Sequence, residues 1–375
     1  MKILFPLEFF YPVTVGGPSS TLYWHTNYLS SRGIDITVVA TDNKLDVEKC
    51  GICTDQWIQY DPNRKVIFCR TKIRAFPWRA VLQTVREMFS SDVVHYSSAY
   101  YYLTVYTLVL AVISGKKVVL SPRGEFFPCA VDSLKKRVLI NIFKIFQKKI
   151  VFHATSVEEE VAIRSFFPEG KIVSQPNFID CEMRDCPTNR NKNIIFLGLI
   201  YSVKKIENII AALAKSEKFR RSDSMLQIIG EPLVARDYVY KEQLEAQIKQ
   251  EGLEDKVVWL GRMEGEAKMK LLNESRFLVL PSEAENFGNV VVEALSQSTP
   301  VIASLGTPWR SLNEHNAGIW CDCSPESLRL QIEKLLDLPE QEYKIMCANA
   351  KRLVEEYFNI HTAKNNIWCR IYEEF

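Results

Sequence analysis

The stretch Ser282–Leu295, SEAENFGNVVVEAL, places two carboxylates, Glu285 and Glu293, eight positions apart across an apolar run. It follows the apolar run FLVL, which Pro281 stops, and this order predicts a buried strand, a polar loop and then a helix over Asn289–Ser296. A glutamate inside VVVEAL is costly to bury without a hydroxyl or cationic partner. The stretch therefore predicts one strand–loop–helix unit of an α/β fold, with acidic groups at the loop.

The same alternation of β-rich and helical runs fills the rest of the chain. Strands are predicted in the front half at Lys2–Phe5, Asp35–Ala40, Val66–Cys69, Val93–His95, Lys117–Leu120 and Val151–Ala154, and in the rear half at Asn193–Leu197, Leu226–Ile229, Val257–Leu260, Phe277–Leu280 and Pro300–Ala303. Strand–helix alternation predicts parallel sheets that helices cover on both faces. The expected fold class is α/β, with two Rossmann-like doubly wound halves.

A proline-containing polar stretch, Ile172–Arg190, interrupts this pattern and predicts a linker. We expect an N-terminal domain over 1–178, a C-terminal domain over 179–358, and a last helix, about 359–375, that packs back on the first domain. Two such halves enclose a cleft, and ligands bind beyond the carboxyl ends of the strands. The loops after the strands are therefore the candidate sites.

Composition is that of a globular chain. The 375 residues are 47% hydrophobic and carry a formal net charge of +2, without the basic surplus of a nucleic-acid-coating protein. No secretory signal precedes the ten cysteines, which predicts reduced thiols in the cytoplasm. The Cys50–Cys53 pair lacks the second well-spaced pair of a zinc ribbon, and no metal site is predicted.

Two further loops have the character of phosphate sites. Pro12–Pro18 (PVTVGGP) precedes a helix, and Gly16 and Gly17 allow close backbone approach of an anion to the helix N-terminus, although a plain turn has the same pattern. Lys204 stands at the entry of a helix predicted from about Ile206, where a lysine can meet a phosphate or remain solvated. The absence of GxGxxG and Walker A patterns argues against a dehydrogenase or an NTPase.

The ordered set of motifs resembles the retaining GT-B glycosyltransferases of family 4, the glycosyltransferase group 1 family. The resemblance rests on E-x7-E within ENFGNVVVEAL, followed by TPVIAS, and on these further segments: FYPVTVGGP, SRGIDITVVAT, VVLSPRGEF, FHATSVEEE, PNFID, VKKIENIIAAL and GTPWRSL. The last segment is similar to a branch that builds capsular, O-antigen and exopolysaccharide glycans. The resemblance covers most of the chain and implies the GT-B fold.

The resemblance also implies roles at the donor site, for a UDP- or GDP-sugar that serves as co-substrate without a further cofactor. Lys204 would contact the diphosphate and Glu285 the sugar hydroxyls, and these two would be the catalytic residues. The other implied contacts are backbone groups of Phe287, Gly288 and Asn289 with the sugar and phosphates, Glu293 with the ribose, Arg262 with the base edge, and Gly16 and Gly17 with the diphosphate.

The sequence departs from the family at Leu199, where an arginine usually follows the glycine of that strand. Either Lys204 acts together with helix N-termini, or Arg123 or Lys205 substitutes for the missing cation, or the enzyme is weak or specialised. No Asp-x-Asp occurs, so the resemblance implies metal-independent transfer in which cations and backbone dipoles stabilise the leaving diphosphate. Front-face attack would need no protein base, which leaves Glu285 to position the sugar.

On the acceptor side the candidates are Arg123, His95 and His153. Arg123, in PRGE, either meets an anionic acceptor group or is structural, and each histidine, at a strand end, either serves the acceptor or belongs to the core. Ser133–Phe152 intersperses six cations with apolar residues. Such a segment either contacts an anionic membrane surface, which suits a lipid-linked acceptor, or packs on the sheet with solvated lysines.

Three functional hypotheses follow. The first is a cytoplasmic transferase, at the inner face of the membrane, that extends a lipid-linked bacterial-type glycan. The second is a nucleotide-sugar epimerase or another enzyme on the same fold, and the third is a catalytically weak nucleotide-sugar-binding protein, which Leu199 motivates. None of them involves nucleic acid.

Overall fold

The computed structural model describes residues 1–13 and 17–373, so that Gly16 lies outside the described residues. The chain divides into two compact units, each with its own sheet. Unit 1 comprises Met1–Phe178 and Asn365–Phe375, and unit 2 comprises Ile179–Lys364.

Unit 1 is built on an eight-stranded sheet. Its strands are β1 (Lys2–Leu7), β2 (Asp35–Thr41), β3 (Trp57–Asp61), β4 (Arg64–Cys69), β5 (Val93–Ser97), β6 (Lys117–Ser121), β7 (Ile150–Ala154) and β8 (Lys171–Ser174). Its helices are α1 (Gly17–Ser31), α2 (Val47–Cys50), α3 (Trp78–Phe89), α4 (Tyr102–Ile113), α5 (Leu134–Ile145), α6 (Val157–Phe166) and the C-terminal α15 (Trp368–Glu373).

The strand order in this sheet is β3-β4-β2-β1-β5-β6-β7-β8, and all neighbours are parallel except β3 and β4. The direction of the connections reverses at β1, because β2 lies on one side of it and β5 on the other. Interior strands such as β5 are buried at every residue, as expected for a sheet that helices cover.

Unit 2 is built on a six-stranded, all-parallel sheet. Its strands are β9 (Ile194–Leu197), β10 (Leu226–Ile229), β11 (Val257–Gly261), β12 (Phe277–Leu280), β13 (Val301–Ser304) and β14 (Gly318–Cys321). Its helices are α7 (Ile206–Lys215), α8 (Glu217–Arg221), α9 (Ala235–Gln250), α10 (Gly265–Glu274), α11 (Asn289–Ser296), α12 (Ser311–Glu314), α13 (Pro325–Asp337) and α14 (Glu340–Tyr357). The order β11-β10-β9-β12-β13-β14 is the doubly wound arrangement of a dinucleotide-binding fold.

Three strands were not predicted, and all lie at sheet edges. Strand β3 pairs antiparallel, β8 takes up Lys171–Ser174, and β14 begins at Gly318. The prediction of a linker starting at Ile172 was therefore wrong, because Ile172 pairs with Phe152 in the sheet. Edge strands are short and partly exposed, so their sequences lack the continuous apolar run that identifies an interior strand.

Helix α1 ends before Gly33, whose φ of 78° is the left-handed value that favours glycine after a helix. Helix α5 occupies only Leu134–Ile145 of the basic segment, whereas Ile150–Phe152 belong to the buried strand β7. The end of that segment is therefore core rather than surface. Within the described ranges, no helix combines the length and apolar character that crossing a membrane requires.

Candidate functional site

In the sheet of unit 2, the connections reverse direction between the neighbouring strands β9 and β12. Loops that follow two such strands leave in opposite directions, and the space between them is where open α/β sheets bind ligands. The loop after β9 carries Lys204, and the loop after β12 carries Glu285. Tertiary structure therefore brings together two residues that are 81 positions apart.

The ammonium of Lys204 forms an ion pair with Oε1 of Glu285. The Lys204 side chain is 11% exposed and that of Glu285 is 13% exposed, so water screens the pair only partly. A short 3-10 turn, Ser202–Lys204, and the left-handed Lys205, with φ of 51°, place Lys204 immediately before α7. Its ammonium also lies 5.6 Å from the centre of the Tyr201 ring.

The loop that carries Glu285 is held from three sides. Ser282 Oγ donates a 2.8 Å hydrogen bond to Glu285 Oε1, and the backbone N–H of Glu285 donates to the carbonyl of Gly306 at 2.9 Å. The N–H of Glu283 donates to the carbonyl of Val203 at 2.8 Å, which ties this loop to the Lys204 turn. A Cβ at Gly306 would lie 2.1 Å from the carbonyl oxygen of Glu283, so only glycine allows this approach.

Three residues with implied backbone contacts lead into α11. Gly288 caps the helix in the left-handed region, with φ of 79°, and Asn289 is the first helical residue. Phe287 packs against Trp309 and Phe358, and its carbonyl accepts a 2.5 Å hydrogen bond from Trp309 Nε1. The first N–H groups of a helix have no intrahelical acceptor. The N-terminus of α11, which begins at Asn289, therefore carries partial positive charge that suits an anion.

Glu293 lies one turn into α11 and is 7% exposed. Its Oε1 forms a 2.8 Å ion pair with the ammonium of Lys268. No local pattern indicated this partner, because Lys268 lies on another helix, α10. This contact supplies the cationic partner that burial requires. Arg262 pairs with Glu264 two residues away, with 2.7 Å between Arg262 Nε and Glu264 Oε1.

Leu199 lies in a tight part of the backbone after β9. A Cβ at Gly230 would be 1.8 Å from the carbonyl oxygen of Gly198, so the neighbouring strand ends touch backbone to backbone. Lys205, a candidate to replace the missing arginine, pairs with Glu283 at 3.1 Å. Among the residues that the structure describes, no group of three or more His, Cys, Asp or Glu is arranged to hold a metal ion.

In unit 1, His95 and His153 belong to a buried chain of hydrogen bonds. His95 joins the hydroxyl of Tyr372 through Nδ1 and Ser121 Oγ through Nε2, each at 2.7 Å. Ser121 Oγ also lies 2.7 Å from His153 Nδ1, and His153 Nε2 lies 2.8 Å from the carbonyl of Gln175. These contacts favour the core interpretation of both histidines, and they attach α15 to the sheet.

The polarity of this chain follows from its carbonyl end. A carbonyl only accepts, so His153 must donate from Nε2 and accept the Ser121 proton at Nδ1. Ser121 Oγ then accepts a hydrogen bond from His95 Nε2, and His95 Nδ1 accepts one from the hydroxyl of Tyr372. The Tyr372 oxygen also lies 3.2 Å from His25 Nε2. Burial lowers the pKa of His25 and His95 well below the usual value, and that of His153 to about 3. All three imidazoles are therefore neutral at pH 7.

Arg123 adopts φ of 56° in the loop after β6 and donates from Nε to Ser97 Oγ at 3.3 Å and from Nη1 to Asn177. Burial lowers the pKa of its guanidinium. The loop is anchored by Glu159, which accepts from the N–H of Gly124 at 2.5 Å and from Thr155. The adjacent Glu125 was missed, although a carboxylate before two phenylalanines, in PRGEFF, is the signal that could have identified it.

The comparisons with known proteins are consistent with this geometry. Residues 185–353 match the family model described as "Glycosyl transferases group 1". An uncharacterized glycosyltransferase of Methanocaldococcus jannaschii is 33% identical over 45% of this chain and 41% of its own length. The GDP-mannose:cellobiosyl-diphosphopolyprenol alpha-mannosyltransferase of Xanthomonas oryzae is 24% identical over 85% of this chain and 83% of its own. The chain spans less than half of the first of these relatives.

Among solved structures, Anabaena HepE in complex with UDP-glucose superposes with a TM-score of 0.75 at 18% identity, over 100% of both chains. Together with the two parallel sheets, this similarity identifies the fold as GT-B, as the sequence predicted. At this level of identity, the similarity concerns the fold alone.

The ion pair of unit 2 predicts non-additive mutational effects. Lys204→Met or Glu285→Gln alone leaves a poorly solvated charge and should cost about 2–3 kcal/mol of unfolding free energy, whereas the double variant should recover at least a third of the summed loss. Urea denaturation of the four proteins measures this. The exposed pair Arg310–Glu314, with side chains 78% and 54% exposed, is the matched control and should show a coupling below about 0.5 kcal/mol. Strictly additive losses at Lys204 and Glu285 would contradict the assignment.

The neutral histidines predict acid destabilisation of unit 1. Their folded pKa values lie below the unfolded value, so their stabilising effect is complete above about pH 6.5 and is lost as the pH falls below it. Glu125, whose pKa burial raises to about 7, acts in the opposite direction between about pH 4.5 and 7. Near pH 5.5, unfolding binds about three protons at the histidines and releases about one from Glu125. The free energy of unfolding should therefore change by about 2–3 kcal/mol per pH unit.

Urea unfolding between pH 7.0 and 5.5 checks this slope. Glu125→Gln is the matched control, because it removes the opposing proton and should steepen the pH dependence toward three protons. A stability that does not change over this range would show that the histidines are not held neutral.

Proposed function

We propose that this chain is a retaining group 1 glycosyltransferase of family 4, which transfers a sugar from a nucleotide-sugar donor to a glycan acceptor. The observation that carries the proposal is the Lys204–Glu285 pair at the strand β9–β12 reversal, within the part of the chain that matches the family model. A cation beside a carboxylate suits a ligand with a diphosphate next to sugar hydroxyls. Two helix N-termini, those of α7 and α11, add partial positive charge there.

In the proposed reaction, the donor exchanges partners with the ion pair. Its diphosphate takes over Lys204, and its sugar hydroxyls donate to Glu285, so neither charged group is left without a partner. As the glycosidic bond breaks, negative charge develops on the diphosphate, and the ammonium and helix N–H groups stabilise it where it forms. The departing phosphate accepts the acceptor proton during front-face attack, so Glu285 positions the sugar and forms no covalent bond.

The same reasoning supports transfer without a metal ion. The chain contains no Asp-x-Asp pair to hold Mg²⁺ beside the diphosphate. Lys204 would supply the charge that the metal supplies elsewhere, and Lys205 would take the place of the arginine that Leu199 replaces. The donor is a UDP- or GDP-sugar: the Anabaena structure contains UDP-glucose, and the Xanthomonas relative is named for GDP-mannose.

The acceptor in this proposal is a lipid-linked glycan used in surface polysaccharide assembly, reached at the cytoplasmic face of a membrane. The name of the Xanthomonas relative, which includes a diphosphopolyprenol, supports such an acceptor. The surface of unit 1 also supports it. Helix α4 contains no charged residue, yet Tyr106 is 42% and Ile113 64% exposed.

The basic helix α5 supports the same kind of acceptor. Leu134 is 78% and Ile145 76% exposed, and Lys135, Arg137 and Lys144 are exposed on the same short helix. Exposed apolar side chains among cations bind the interface of an anionic bilayer. The proposed contact is therefore limited to Leu134–Ile145 rather than the whole of 133–152.

The transfer reaction is tested with UDP-glucose and GDP-mannose as donors and membrane extract as the acceptor source. Glu285→Ala and Lys204→Ala should each lower acceptor-dependent release of nucleotide at least 100-fold. The first removes the group that positions the donor sugar, and the second removes the cation that stabilises the leaving diphosphate. EDTA should leave the rate unchanged. Arg310→Ala, at an exposed arginine of the same unit, is the matched control and should keep full activity.

Full activity in both site variants would remove the assignment. Conversion of the donor to an epimer without an acceptor would favour the epimerase hypothesis. Tight nucleotide binding without turnover on any extract would favour the binding protein.

Membrane contact is tested by flotation with phosphatidylglycerol-containing vesicles. Leu134→Ser with Ile145→Ser should lower the bound fraction about tenfold or more, since each leucine or isoleucine inserted contributes more than 1 kcal/mol. Leu330→Ser, at a leucine of α13 that is 51% exposed, is the matched control and should not change binding. Equal flotation of all variants would exclude α5 as the contact surface.

A further inference from the structure

Unit 1 contains a cavity of about 130 Å³, and its lining residues do not include Lys204 or Glu285. Its lining residues lie at the carboxyl end of β5, in the loops after β1, β5 and β6, and in α1. Strands β1, β5 and β6 are at and beside the point where the first sheet reverses its connections. The lining residues are Phe9, Ser19, Leu22, Ser97, Ser98, Tyr101, Arg123 and Glu125. The cavity therefore occupies, in unit 1, the topological position at which open α/β sheets bind ligands.

The size and walls of this cavity suit one sugar ring. An engineered protein cavity of about 150 Å³ holds a benzene molecule, so about 130 Å³ is of the order of one six-membered ring. Phe9 and Tyr101 form aromatic walls, with ring centres 6.1 Å apart in an edge-to-face arrangement. Serine hydroxyls, a guanidinium and a carboxylate supply the polar contacts, which is the mixture that a hydroxylated ring with apolar faces requires.

The backbone at this cavity is held in unusual conformations. Ser98 has φ of 101° and Arg123 has φ of 56°, values that side-chain-bearing residues rarely adopt. The N–H of Ser98 donates to the carbonyl of Ser121, and the hydroxyl of Thr104 donates to the carbonyl of Ser98, both at 2.8 Å. Such strain persists where surrounding contacts enforce it, and it concentrates at functional sites.

Glu125 and Arg123 are the charged groups of the cavity. Glu125 accepts 2.5 Å hydrogen bonds from Ser98 Oγ and from the N–H of Ala99, one at each carboxyl oxygen, and burial raises its pKa to about 7. The Nη2 of Arg123 is buried and has no hydrogen-bond acceptor among the described residues. A carboxylate oxygen retains further lone pairs, so the cavity offers both a donor and an acceptor to a ligand.

We propose that this cavity binds one pyranose ring of the acceptor glycan, with Glu125 accepting a hydrogen bond from a ring hydroxyl and Arg123 Nη2 donating to a second sugar oxygen. The inference deepens the proposed function and rests on it. One positive and one negative group leave the cavity close to neutral, which favours an uncharged sugar over an anion. Glu125 is then a binding residue for the acceptor side of the reaction.

The test uses the full chain and three uncharged probes: methyl α-glucopyranoside, methyl α-mannopyranoside and methyl α-galactopyranoside. Binding is measured by saturation-transfer NMR at pH 8, where the carboxylate is ionised. At least one probe should bind, and Glu125→Gln should weaken it about tenfold, because a hydrogen bond to a charged group is replaced by a neutral one. Ser19→Leu, which inserts an apolar side chain into the cavity, should weaken the same probe at unchanged thermal stability.

The pH dependence separates a ligand contact from a structural role. In the wild type, probe affinity should rise several-fold from pH 6 to pH 8 as Glu125 ionises, and in Glu125→Gln it should be flat. The other titratable or charged groups near the Glu125 carboxyl are Arg123, Lys136, Tyr100, Tyr101 and Asp132, together with Glu8 and Arg74, which act through Tyr101. None of these seven has an ordinary pKa between 6 and 8, so a midpoint near 7 belongs to Glu125.

Donor binding distinguishes the failure of this inference from failure of the proposed function. UDP-glucose and GDP-mannose, titrated calorimetrically, should bind Glu125→Gln as they bind the wild type, and should bind Glu285→Ala much more weakly. Donor binding with no probe bound, or with probes bound equally by wild type and Glu125→Gln, would overturn the inference alone. Loss of donor binding in the wild type would overturn the proposed function.

Discussion

Lys204 and Glu285 meet because β9 and β12 are hydrogen-bonded neighbours whose following loops leave in opposite directions. The ion pair depends on several features that position it. Gly306 lets two backbone segments touch, Ser282 orients the carboxylate, and the left-handed Lys205 turns the chain into α7. Because the pair is only slightly exposed, both charges need a partner at all times. A ligand that displaces one contact must therefore replace both, which is the requirement that a nucleotide-sugar satisfies.

In both units, a reversal in strand order brings polar side chains together, but the side chains differ in their chemistry. In unit 2, the reversal in strand order brings together an ammonium and a carboxylate, beside the N-termini of two helices. In unit 1, the reversal collects a carboxyl, a guanidinium and aromatic walls around a ring-sized cavity. The first set suits a charged diphosphate sugar, and the second suits an uncharged ring. Under the proposed function, the first set would bind the donor and the second would bind the acceptor.

The hydrogen-bond chain of unit 1 has a different role, since it couples distant parts of the chain. Tyr372, in the last helix, reaches His95 and His25, and Trp368 packs 3.7 Å from the His25 ring centre. The carbonyl of Gln175, at one end of the hydrogen-bond chain, fixes which atom donates in each of its hydrogen bonds. Neutral imidazoles allow this arrangement, because each must accept at one nitrogen and donate at the other. The C-terminal helix therefore docks through hydrogen bonds that require the buried histidines to be neutral.

The sequence by itself determined the α/β alternation, the interior strands and the position of Glu285 between a strand and a helix, because these features follow from local periodicity and turn chemistry. It indicated the candidate residues Lys204 and Arg123 as well, since both stand in loops that follow predicted strands. Only the tertiary structure decided the partners: Lys268 for Glu293, Tyr372 for His95, and Glu125 beside the cavity. Edge strands such as β8 also depended on it. Such contacts join residues that are distant in the chain, and their energies come from burial and pairing that no local pattern contains.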